Sequence, residues 1–436
     1  MPGNYCRDSP QLPVFNYIIS RHLCLVNQLN NLVVIGGGAA GYFCAVNAAR
    51  MNPNLQVIIL ERSSRVLQKV KVSGGGRCNV THACFEISQM IKRYPRGEKF
   101  LKKAFHQFFT TDTIKWFEER GVLLKTETDG RMFPANDDSQ TIIDCLLKEA
   151  NNKGIKLQLN TIVTSLDYEQ NTWVITTSAG NKIKAANLCI ACGGFAKKEQ
   201  FKWITSATNH TISDPVPSLF TFNIPDHPIR KLMGVTSLNA QVKLAGSKLV
   251  TEGPVLITHW GLSGPAILKL SAFAARELAE KNYNYSVIIN WLPGFNENSL
   301  REKILQHRQA KATQKVVNTE WITIPQRLFE FLVIQSGASP DIRWADLPSA
   351  EQNKLVKNLC GYELQANGKT IFKEEFVTAG GIKLQEIEVN TMASKLKPQL
   401  YFAGEIIDVD GITGGYNFQN AWTTGFIAAK AIAGNN

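Results

Sequence analysis

The sequence lacks the cysteine pattern of a zinc-binding or disulfide-stapled protein. Its nine cysteines are scattered, and Cys189-x-x-Cys192 has no second pair with which to complete a zinc site. This pair lies within the apolar run "NLCIACGG", which predicts a buried strand that carries two small core thiols. We therefore expect no metal site and no disulfide framework, as is usual for a protein of the reducing cytoplasm.

The sequence also has little that indicates export or a membrane. Residues 1–30 lack the basic start and clean apolar stretch of a signal peptide, and we expect them to form a loosely held extension. The uncharged segment from Leu23 to Ala49 contains several asparagines and a glycine cluster, which disfavour a membrane-spanning helix. The expectation is a cytoplasmic protein without a membrane span.

Basic residues outnumber acidic ones, 48 to 36, which gives a formal net charge of +12. Such a charge is compatible with nucleic acid, an anionic surface or an anionic cofactor. The densest basic stretch, Lys92 to Lys103, alternates with apolar residues at helical spacing and predicts the solvated side of a helix. Because no RNA-binding signature and no basic stripe interleaved with aromatics is present, we expect no stable nucleic-acid partner.

A dinucleotide-binding pattern opens the well-patterned part of the chain. The apolar run "NLVVI" predicts a buried strand, and Gly36, Gly38 and Gly41 after it satisfy the spacing GxGxxG. A second buried strand, "LQVIILE", ends at Glu61, about 20 residues further on, where a carboxylate can bind the adenosine ribose. The free N–H groups of the intervening helix would hold a pyrophosphate.

A second glycine run, Ser73 to Asn79, follows the strand that ends at Glu61 and therefore passes the same crevice. Its glycines permit close approach to a flat ring or a phosphate, and successive free N–H groups form an anion nest. We expect Arg77 and Lys69 to serve as cations for the pyrophosphate and Asn79 to meet the polar edge of a flavin. Cys78 is ambiguous between a place near the flavin and a buried inert thiol, which is the default interpretation.

The C-terminal stretch "YFAGEIIDVDGITGGYNFQNAW" predicts a strand that runs into Gly404 and Glu405, then a glycine loop, then a helix from about Asn417. The helix would direct its N-terminus at the cofactor and stabilise negative charge on a reduced flavin ring. Asp408 is placed to bind a ribityl hydroxyl.

These stretches, together with "DGRMFPAND", "THWGLSGPAIL" and "FVTAGGI", resemble the HI0933-type flavoproteins from about Asn31 to the C-terminus. That family consists of FAD-dependent oxidoreductases, some labelled aminoacetone oxidase. The resemblance implies an α/β fold: a Rossmann-like FAD-binding domain of the glutathione-reductase type, interrupted by an insert with a β-barrel part and a helical part. The implied division is an N-terminal extension at 1–30, FAD-binding segments at 31–194 and 377–436, and the insert at 195–376.

The resemblance also implies a set of FAD contacts, with Val163 as a backbone contact to adenine. The set comprises Gly36, Gly38, Ala40, Gly41, Glu61, Arg62, Lys69, Ser73, Gly74, Gly75, Gly76, Arg77, Cys78, Asn79, Val163, Gly404, Glu405, Asp408 and Asn417. The sequence departs from the family pattern after "ACGG", where a proline and further glycines are usual. Lys197 and Lys198 stand there instead, which puts the contacts of this region in doubt.

The leading hypothesis is an FAD-dependent oxidoreductase that holds FAD tightly and moves a hydride between the flavin and a small organic substrate, such as an amine or carbonyl compound, or NAD(P)H. Oxygen or an organic acceptor would take the electrons. No second GxGxxG follows a strand, so NAD(P)H would dock transiently as a reductant. Two alternatives stay open: a flavin-dependent tRNA-modifying protein, ranked lower, and a flavin-binding protein without turnover. No catalytic residue is assigned; "GLSGP" lacks the last glycine of a nucleophile elbow, and His259 is interpreted as structural.

Overall fold

The computed structural model describes residues 29–370 and 377–434. Between residues 29 and 190 the chain forms the first group of strands and helices. The strands of this part are β1 (Asn31–Ile35), β2 (Gln56–Leu60), β3 (Thr81–His82), β4 (Leu124–Thr126), β5 (Arg131–Pro134), β6 (Lys156–Gln158), β7 (Val163–Glu169), β8 (Thr172–Thr177), β9 (Lys182–Ala185) and β10 (Asn187–Ile190). The helices are α1 (Ala39–Met51), α2 (Gln68–Gly76), α3 (Ile87–Met90), α4 (Glu98–Ala104), α5 (Thr110–Glu118) and α6 (Ser139–Asn152).

The predicted helix of the basic stretch is shorter than the sequence pattern indicates. Gly97 has a φ of 87° and precedes α4, so the regular helix begins only at Glu98. A side chain at Gly97 would lie 2.5 Å from the side chain of Val409, in the C-terminal part of the chain. The break therefore serves a close contact between distant segments, which local periodicity does not reveal.

The middle of the chain forms an antiparallel sheet with helices beside it. Its strands are β11 (Ile212–Pro217), β12 (Thr221–Asn223), β13 (Thr236–Leu244), β14 (Val250–Ile257), β15 (Gly261–Ser263), β16 (Asn284–Asn290), β17 (Tyr362–Asn367) and β18 (Lys369–Thr370). Its helices are α7 (Lys202–Thr208), α8 (Pro265–Phe273), α9 (Ala275–Glu280), α10 (Glu297–Ala310), α11 (Gln326–Gln335) and α12 (Ser349–Cys360). Seven of these strands pair in the order β17-β16-β13-β14-β15-β12-β18, and this part buries its own apolar core.

The last part of the chain returns to the first sheet. It contains β19 (Thr378–Ile382), β20 (Ile387–Glu388), β21 (Ala393–Ser394), β22 (Leu400–Phe402) and α13 (Tyr416–Ala433). The first sheet has the order β20-β21-β22-β10-β1-β2-β6, and the five strands from β22 to β6 run parallel. Because β22 pairs with β10 and β10 with β1, the tail of the chain lies two strands from its first strand, and their carboxyl ends share one edge.

Helices α1 and α13 pack tightly against each other beside this sheet. A side chain at Gly425 of α13 would lie 2.8 Å from the carbonyl oxygen of Ala40, so only glycine allows the helices this approach. The rings of Phe43 and Trp422 are 5.2 Å apart within the same interface. This packing brings the N-termini of both helices to the carboxyl edge of the sheet, where parallel sheets bind ligands. No helix within the described residues is long and apolar enough to cross a membrane.

Candidate functional site

The turn between β1 and α1 has the geometry that its glycines predict. Gly36 has a φ of 116°, and its N–H donates to the carbonyl oxygen of Leu60 at 2.8 Å. A side chain at Gly36 would lie 2.4 Å from the carbonyl oxygen of Ala191, and one at Gly41 would lie 2.0 Å from that of Gly36. The glycines therefore allow the chain to reverse tightly against the sheet.

The N-terminus of α1 is open. Gly38 caps the helix without a side-chain hydrogen bond, and no acidic residue lies in the first turn. A Cβ atom built on Gly38 has no atom within 4 Å. Free N–H groups beside open space at the positive end of a helix form a site for an anionic group such as a phosphate.

The carboxylate of Glu61 braces this turn from the end of β2. Its Oε2 accepts a hydrogen bond from the N–H of Gly37 at 2.8 Å, and its Oε1 accepts from the N–H and the hydroxyl of Ser63, each at 2.8 Å. Because each carboxylate oxygen has two lone pairs, Glu61 retains capacity to accept from a ribose hydroxyl.

Arg62 and Val163 lie at the outer end of the same edge. Arg62 is exposed, directly after Glu61. The N–H of Thr161 donates to the carbonyl oxygen of Glu61 at 2.8 Å, which brings Val163, the first residue of β7, beside the end of β2. The arrangement is compatible with the predicted adenine contact, which stays a prediction.

The second glycine run interrupts α2. Ser73 leaves the helical region with a ψ of 148°, and Gly74, Gly75 and Gly76 follow with φ values of 59°, 71° and 87°. Cβ atoms built on Gly75 and Gly76 meet no atom within 4 Å, whereas one on Gly74 would lie 2.9 Å from Phe133. Successive left-handed residues beside open space can cradle an anion or a flat ring, and the predicted cofactor contacts of this run stay predictions.

Arg77 and Cys78 have partners within the protein. The Arg77 guanidinium lies 4.0 Å above the ring of Phe133 and donates to Oε1 of Glu127 at 2.6 Å, and Glu127, with Asp137, raises its pKa. The predicted pyrophosphate contact of Arg77 stays a prediction. Cys78 is fully buried, and burial raises the pKa of its thiol to about 12, so it is neutral near pH 7.

Gly404 and Glu405 join the tail of the chain to this cradle. Gly404 has a φ of 78°, and a side chain there would lie 2.7 Å from the side chain of Ala40. Oε2 of Glu405 lies 2.5 Å from Nζ of Lys69, and its Oε1 accepts from the N–H of Thr378 at 2.9 Å. The ion pair therefore connects two segments that are distant in sequence at the carboxyl edge of the sheet.

Asp408 and Asn417 also have protein partners. Both carboxylate oxygens of Asp408 lie 3.0 Å from Nη2 of Arg276, which comes from α9. The Asn417 amide accepts from the N–H of Gly411 and donates to its carbonyl oxygen, each at 2.8 Å. Asn417 thus shapes the loop before α13, and the flavin contacts of both residues stay predictions.

Asn79 ties the glycine cradle to α13. In the orientation that satisfies both of its polar atoms, its amide accepts from the N–H of Gly415 at 3.0 Å and donates to the carbonyl oxygen of Thr81 at 2.9 Å. Gly415 caps α13 without a side-chain hydrogen bond, and no acidic residue lies in the first turn. A second helix N-terminus without a side-chain cap therefore lies at this crevice.

The crevice fits a dinucleotide. Open space lies in front of Gly38, Gly75 and Gly76, and a side chain at any of them would occupy space that a ligand could fill. The hydroxyl of Thr378 is buried and has no hydrogen-bond partner among the described residues, and the Cβ of a side chain at Gly194 would lie 2.6 Å from it. Glycine cradles together with an unsatisfied polar atom are expected where a ligand completes the structure.

His82 is a residue of the crevice that our sequence analysis missed. Its Nδ1 lies 3.1 Å from the carbonyl oxygen of Gly414, and because a carbonyl only accepts, Nδ1 carries the proton and Nε2 has the lone pair. The ring stacks on Tyr416, with centroids 4.8 Å apart and planes at 25°. Burial lowers the pKa of His82, which favours the neutral ring.

Charged side chains from other parts of the chain act on His82: Arg93 and Arg131 lower its pKa, and Asp129 raises it. Lys269 of α8 is half-buried, and its Nζ donates to the carbonyl oxygen of Glu252 at 3.4 Å. Burial and then Arg93 lower the pKa of Lys269, whereas Asp129 raises it, and Arg93 and Asp129 act on His82 in the same senses. We call the following residues the His82 cluster: His82, Arg93, Asp129, Lys269 and Tyr416. Only His82 had a sequence signal, its place directly after "SGGGRCNVT".

Two further regions lie away from the cradle contacts. Lys198, in the segment that departs from the family pattern, pairs with Asp214 at 2.6 Å, and both side chains are exposed. The ring of His259 is exposed and lies edge-on against Trp260 at 4.4 Å. Within the described ranges, no group of His, Cys, Asp or Glu side chains could hold a metal ion.

A parallel sheet with glycine turns and open helix N-termini at its carboxyl edge defines the class of Rossmann-type nucleotide-binding proteins. The sequence model of one protein family, described as "HI0933-like protein Rossmann domain", matches residues 30–431. The chain belongs to this family.

Two curated relatives span nearly the whole chain. The chain is 28% identical over 414 residues to "3-dehydro-bile acid delta(4,6)-reductase" of Clostridium scindens, which covers 93% of this chain and 99% of that protein. It is 30% identical over 413 residues to "Ribosomal RNA dihydrouridine synthase" of Escherichia coli, which covers 92% of this chain and 97% of that protein. These similarities identify the chain as an enzyme, a flavoprotein oxidoreductase.

A solved structure also resembles the chain in part. The 3-ketosteroid-Δ4-(5α)-dehydrogenase of Rhodococcus jostii superposes with a TM-score of 0.49 at 13% identity, over 91% of this chain and 96% of that one. A likeness at this level bears on no functional conclusion.

Proposed function

We propose that the protein binds FAD tightly in the crevice and reduces a carbon–carbon double bond conjugated to a carbonyl, in the uracil base of ribosomal RNA, with NAD(P)H as a transient reductant. The names of the two relatives support this chemistry, because dihydrouridine formation and delta(4,6)-reduction each add hydrogen across such a double bond. The observation that carries the proposal is the His82 cluster: His82 contacts Gly414 and stacks on Tyr416 at the N-terminus of α13, and Arg93 acts on both His82 and Lys269.

The residues of the crevice can hold FAD along its length. The open N-terminus of α1 at Gly38 would take the pyrophosphate, and Glu61 would accept from the ribose. The left-handed run from Gly74 to Gly76 and the N-terminus of α13 would flank the flavin. When bound, FAD supplies the hydride, and the protein supplies binding, orientation and electrostatics.

The His82 cluster has the groups that a conjugated carbonyl substrate requires. Negative charge develops on the carbonyl oxygen when the conjugated carbon receives a hydride, and Arg93 and Lys269 are cations that stabilise such charge. The neutral Nε2 of His82 accepts the ring N–H of a uracil. Since burial lowers the pKa of Lys269, its ammonium is also a suitable donor for the proton that the second carbon receives.

The surroundings favour a nucleic-acid base over an apolar ring system. The cluster is polar, and the chain has a formal net charge of +12, which attracts a polyanion. The sequence alone favours a small organic substrate over RNA, whereas the name of the E. coli relative leads us to place RNA first. A small substrate with a conjugated carbonyl is the second candidate, favoured by the name of the C. scindens relative.

We also propose that the FAD-binding domain consists of residues 31–194 and 377–436, interrupted by residues 195–376. The pairing of β22 with β10 in one parallel sheet supports this division, as does the separate sheet that contains β12 to β18. The barrel-and-helix description of the insert remains part of the proposal.

The test is turnover under anaerobic conditions. Purified protein, with its released cofactor identified, would be mixed with NADPH or NADH and ribosomal RNA transcribed in vitro, and the digested RNA would be searched by mass spectrometry for dihydrouridine. Parallel reactions would contain a steroid with a conjugated 3-ketone. Dihydrouridine supports the proposal; reduction of the steroid alone would move the activity to the second candidate, and neither product would refute both.

A further inference from the structure

A groove on the antiparallel-sheet part of the protein lies outside the crevice. It surrounds the short helical turn that begins at Pro228 and reaches the loop between β14 and β15, and its volume is about 660 Å³. Its lining residues are Asp226, His227, Pro228, Arg230, Lys231, Met233 and His259. We call it the Arg230 groove.

The cations of the Arg230 groove are not neutralised by the protein. Nε of Arg230 donates to the carbonyl oxygen of His259 at 2.6 Å, which fixes the guanidinium at the groove. Nη2 of Arg327 lies 3.5 Å from the carbonyl oxygen of Lys231, which adds a third cation at this edge. Within the described part of the chain, none of these three side chains forms an ion pair, and Asp226 is the one acidic residue of the lining. The groove therefore offers unpaired positive charge.

The histidines of the groove have other roles. Nδ1 of His227 accepts from the N–H of Ile229 at 3.2 Å, so its proton is on Nε2, which faces the hydroxyl of Tyr362 at 3.5 Å. Burial lowers the pKa of His227, and the neutral ring forms part of the wall. The ring of His259 and the side chain of Met233, which is 57% exposed, offer apolar surface beside the cations.

Strand β14 runs between the groove and Lys269, which we assign to the His82 cluster. Near its start, the carbonyl oxygen of Glu252 accepts from Lys269 of the cluster. At its end, the N–H of Ile257 donates to the carbonyl oxygen of Val235, behind the groove, at 2.9 Å. The two residues are five positions apart along the strand, a distance of roughly 17 Å. A bound RNA segment of a few nucleotides would span this distance, whereas a single nucleoside would not.

We propose that the Arg230 groove binds the phosphate backbone of the RNA whose base is reduced beside the His82 cluster. The inference rests on the proposed function. Guanidinium and ammonium groups bind phosphodiesters through charge-assisted hydrogen bonds, and unpaired cations gain most because they lose no protein partner. A groove of this kind supplies affinity and register without reading the sequence, while the crevice selects the base.

The test compares two charge-reversed variants of the full-length flavoprotein. Arg230→Glu with Lys231→Glu changes the groove. Lys243→Glu in β13 with Lys248→Glu in the turn before β14 makes the same charge change at exposed positions elsewhere. The probe is fluorescein-labelled ribosomal RNA transcribed in vitro, and affinity is measured by anisotropy over a range of salt concentrations. Flavin content and the rate of flavin reduction by NADPH report on folding. If the groove variant loses its flavin, Arg230→Gln with Lys231→Gln replaces it, and Lys243→Gln with Lys248→Gln becomes its control.

The groove variant is expected to bind RNA at least about tenfold more weakly. The slope of log affinity against log salt concentration should be smaller by about one for each cation removed. Reduction of its flavin should be normal. An equal loss in both variants, or no loss in the groove variant, would overturn the groove as the RNA site. If the wild-type protein binds RNA through the groove yet forms no dihydrouridine, the proposed function fails and the groove stands. If it forms dihydrouridine and the groove variant binds as well as the wild type, the groove fails and the function stands.

Discussion

Arg96 and Asp410 form a buried salt bridge at the junction of three parts of the chain. Nε of Arg96 lies 2.5 Å from Oδ1 of Asp410, a residue with no exposed surface. The same guanidinium donates to the carbonyl oxygen of Ala272 at 2.8 Å and to the hydroxyl of Ser218 at 3.1 Å. One side chain from the first part of the chain thereby holds the antiparallel-sheet part and the C-terminal part together beside the crevice.

Removing the carboxylate should destabilise the protein strongly. Asp410→Ala leaves a largely buried guanidinium without its counter-ion, which costs about 3–5 kcal/mol of unfolding free energy. Urea titration measures this loss. The control is Asp341→Ala, which breaks an exposed pair with Lys315 at 2.7 Å and should change the unfolding free energy far less, because solvent screens an exposed ion pair. Equal losses in the two variants would show that the buried pair does not join the three parts.

Gly38→Val should abolish flavin binding without unfolding the protein. Gly38 has a φ of −92°, which any residue adopts, and its Cβ meets no protein atom, so valine would intrude only on the ligand space. We expect a folded, colourless protein with the far-ultraviolet circular dichroism of the wild type. Gly294→Val is the matched control, because that glycine also has open space around it and lies in the antiparallel-sheet part. Full flavin occupancy in Gly38→Val would remove the assigned pyrophosphate site.

His82→Phe should separate substrate turnover from cofactor binding. Phenylalanine can stack on Tyr416 but has no nitrogen for Gly414 or for the substrate, so we expect normal flavin content and a kcat lower by about 100-fold. In the wild type, activity should fall on the acid side as Nε2 becomes protonated, and this limb of the pH profile should vanish in the variant. His106→Phe, at an exposed position, serves as control. A wild-type kcat and an unchanged acid limb in His82→Phe would exclude His82 from the reaction.

The stability of the protein should decrease as the pH falls through 6.5. His210 is 3% exposed, and its Nε2 lies 3.0 Å from the hydroxyl of Ser394. Burial lowers its pKa from the usual value of 6.5; Glu386 opposes this effect and Lys397 adds to it. Because the unfolded chain binds the proton more readily, the unfolding free energy is independent of this group above about pH 7.5 and declines below it, until the lowered pKa of the folded protein is reached.

Urea titrations from pH 5.5 to 8 at matched ionic strength would measure the decline. His210→Gln should show a shallower dependence on pH, because one group with different pKa values in the two states is gone. An identical slope in the variant would contradict the assignment of the effect to His210.

The parts of the fold that local sequence patterns determine are the parts that the sequence predicts best. The β1–turn–α1–β2 unit follows from apolar runs and glycine spacing. Gly74 to Gly76 have positive φ values, which glycine adopts without steric cost, and this agrees with the close approach expected of the run.

The rest depends on contacts between distant segments, for which one sequence holds no signal. Arg77 pairs with Glu127 and Asp408 with Arg276, and the second pair spans 132 positions. The His82 cluster likewise combines residues of β3, α8 and α13 with Arg93 of a short 3₁₀ helix and Asp129 of a loop. His82 and Tyr416 become neighbours only when the tail returns to the first sheet.

The most direct test of the account is the visible spectrum of the purified protein through one anaerobic cycle. We predict a yellow protein that releases FAD on denaturation, bleaches with NADPH or NADH, and regains its colour when ribosomal RNA is added, with one dihydrouridine formed for each flavin reoxidised. A protein that stays colourless when FAD is supplied, or a reduced flavin that neither the RNA nor a conjugated carbonyl compound reoxidises, would contradict it.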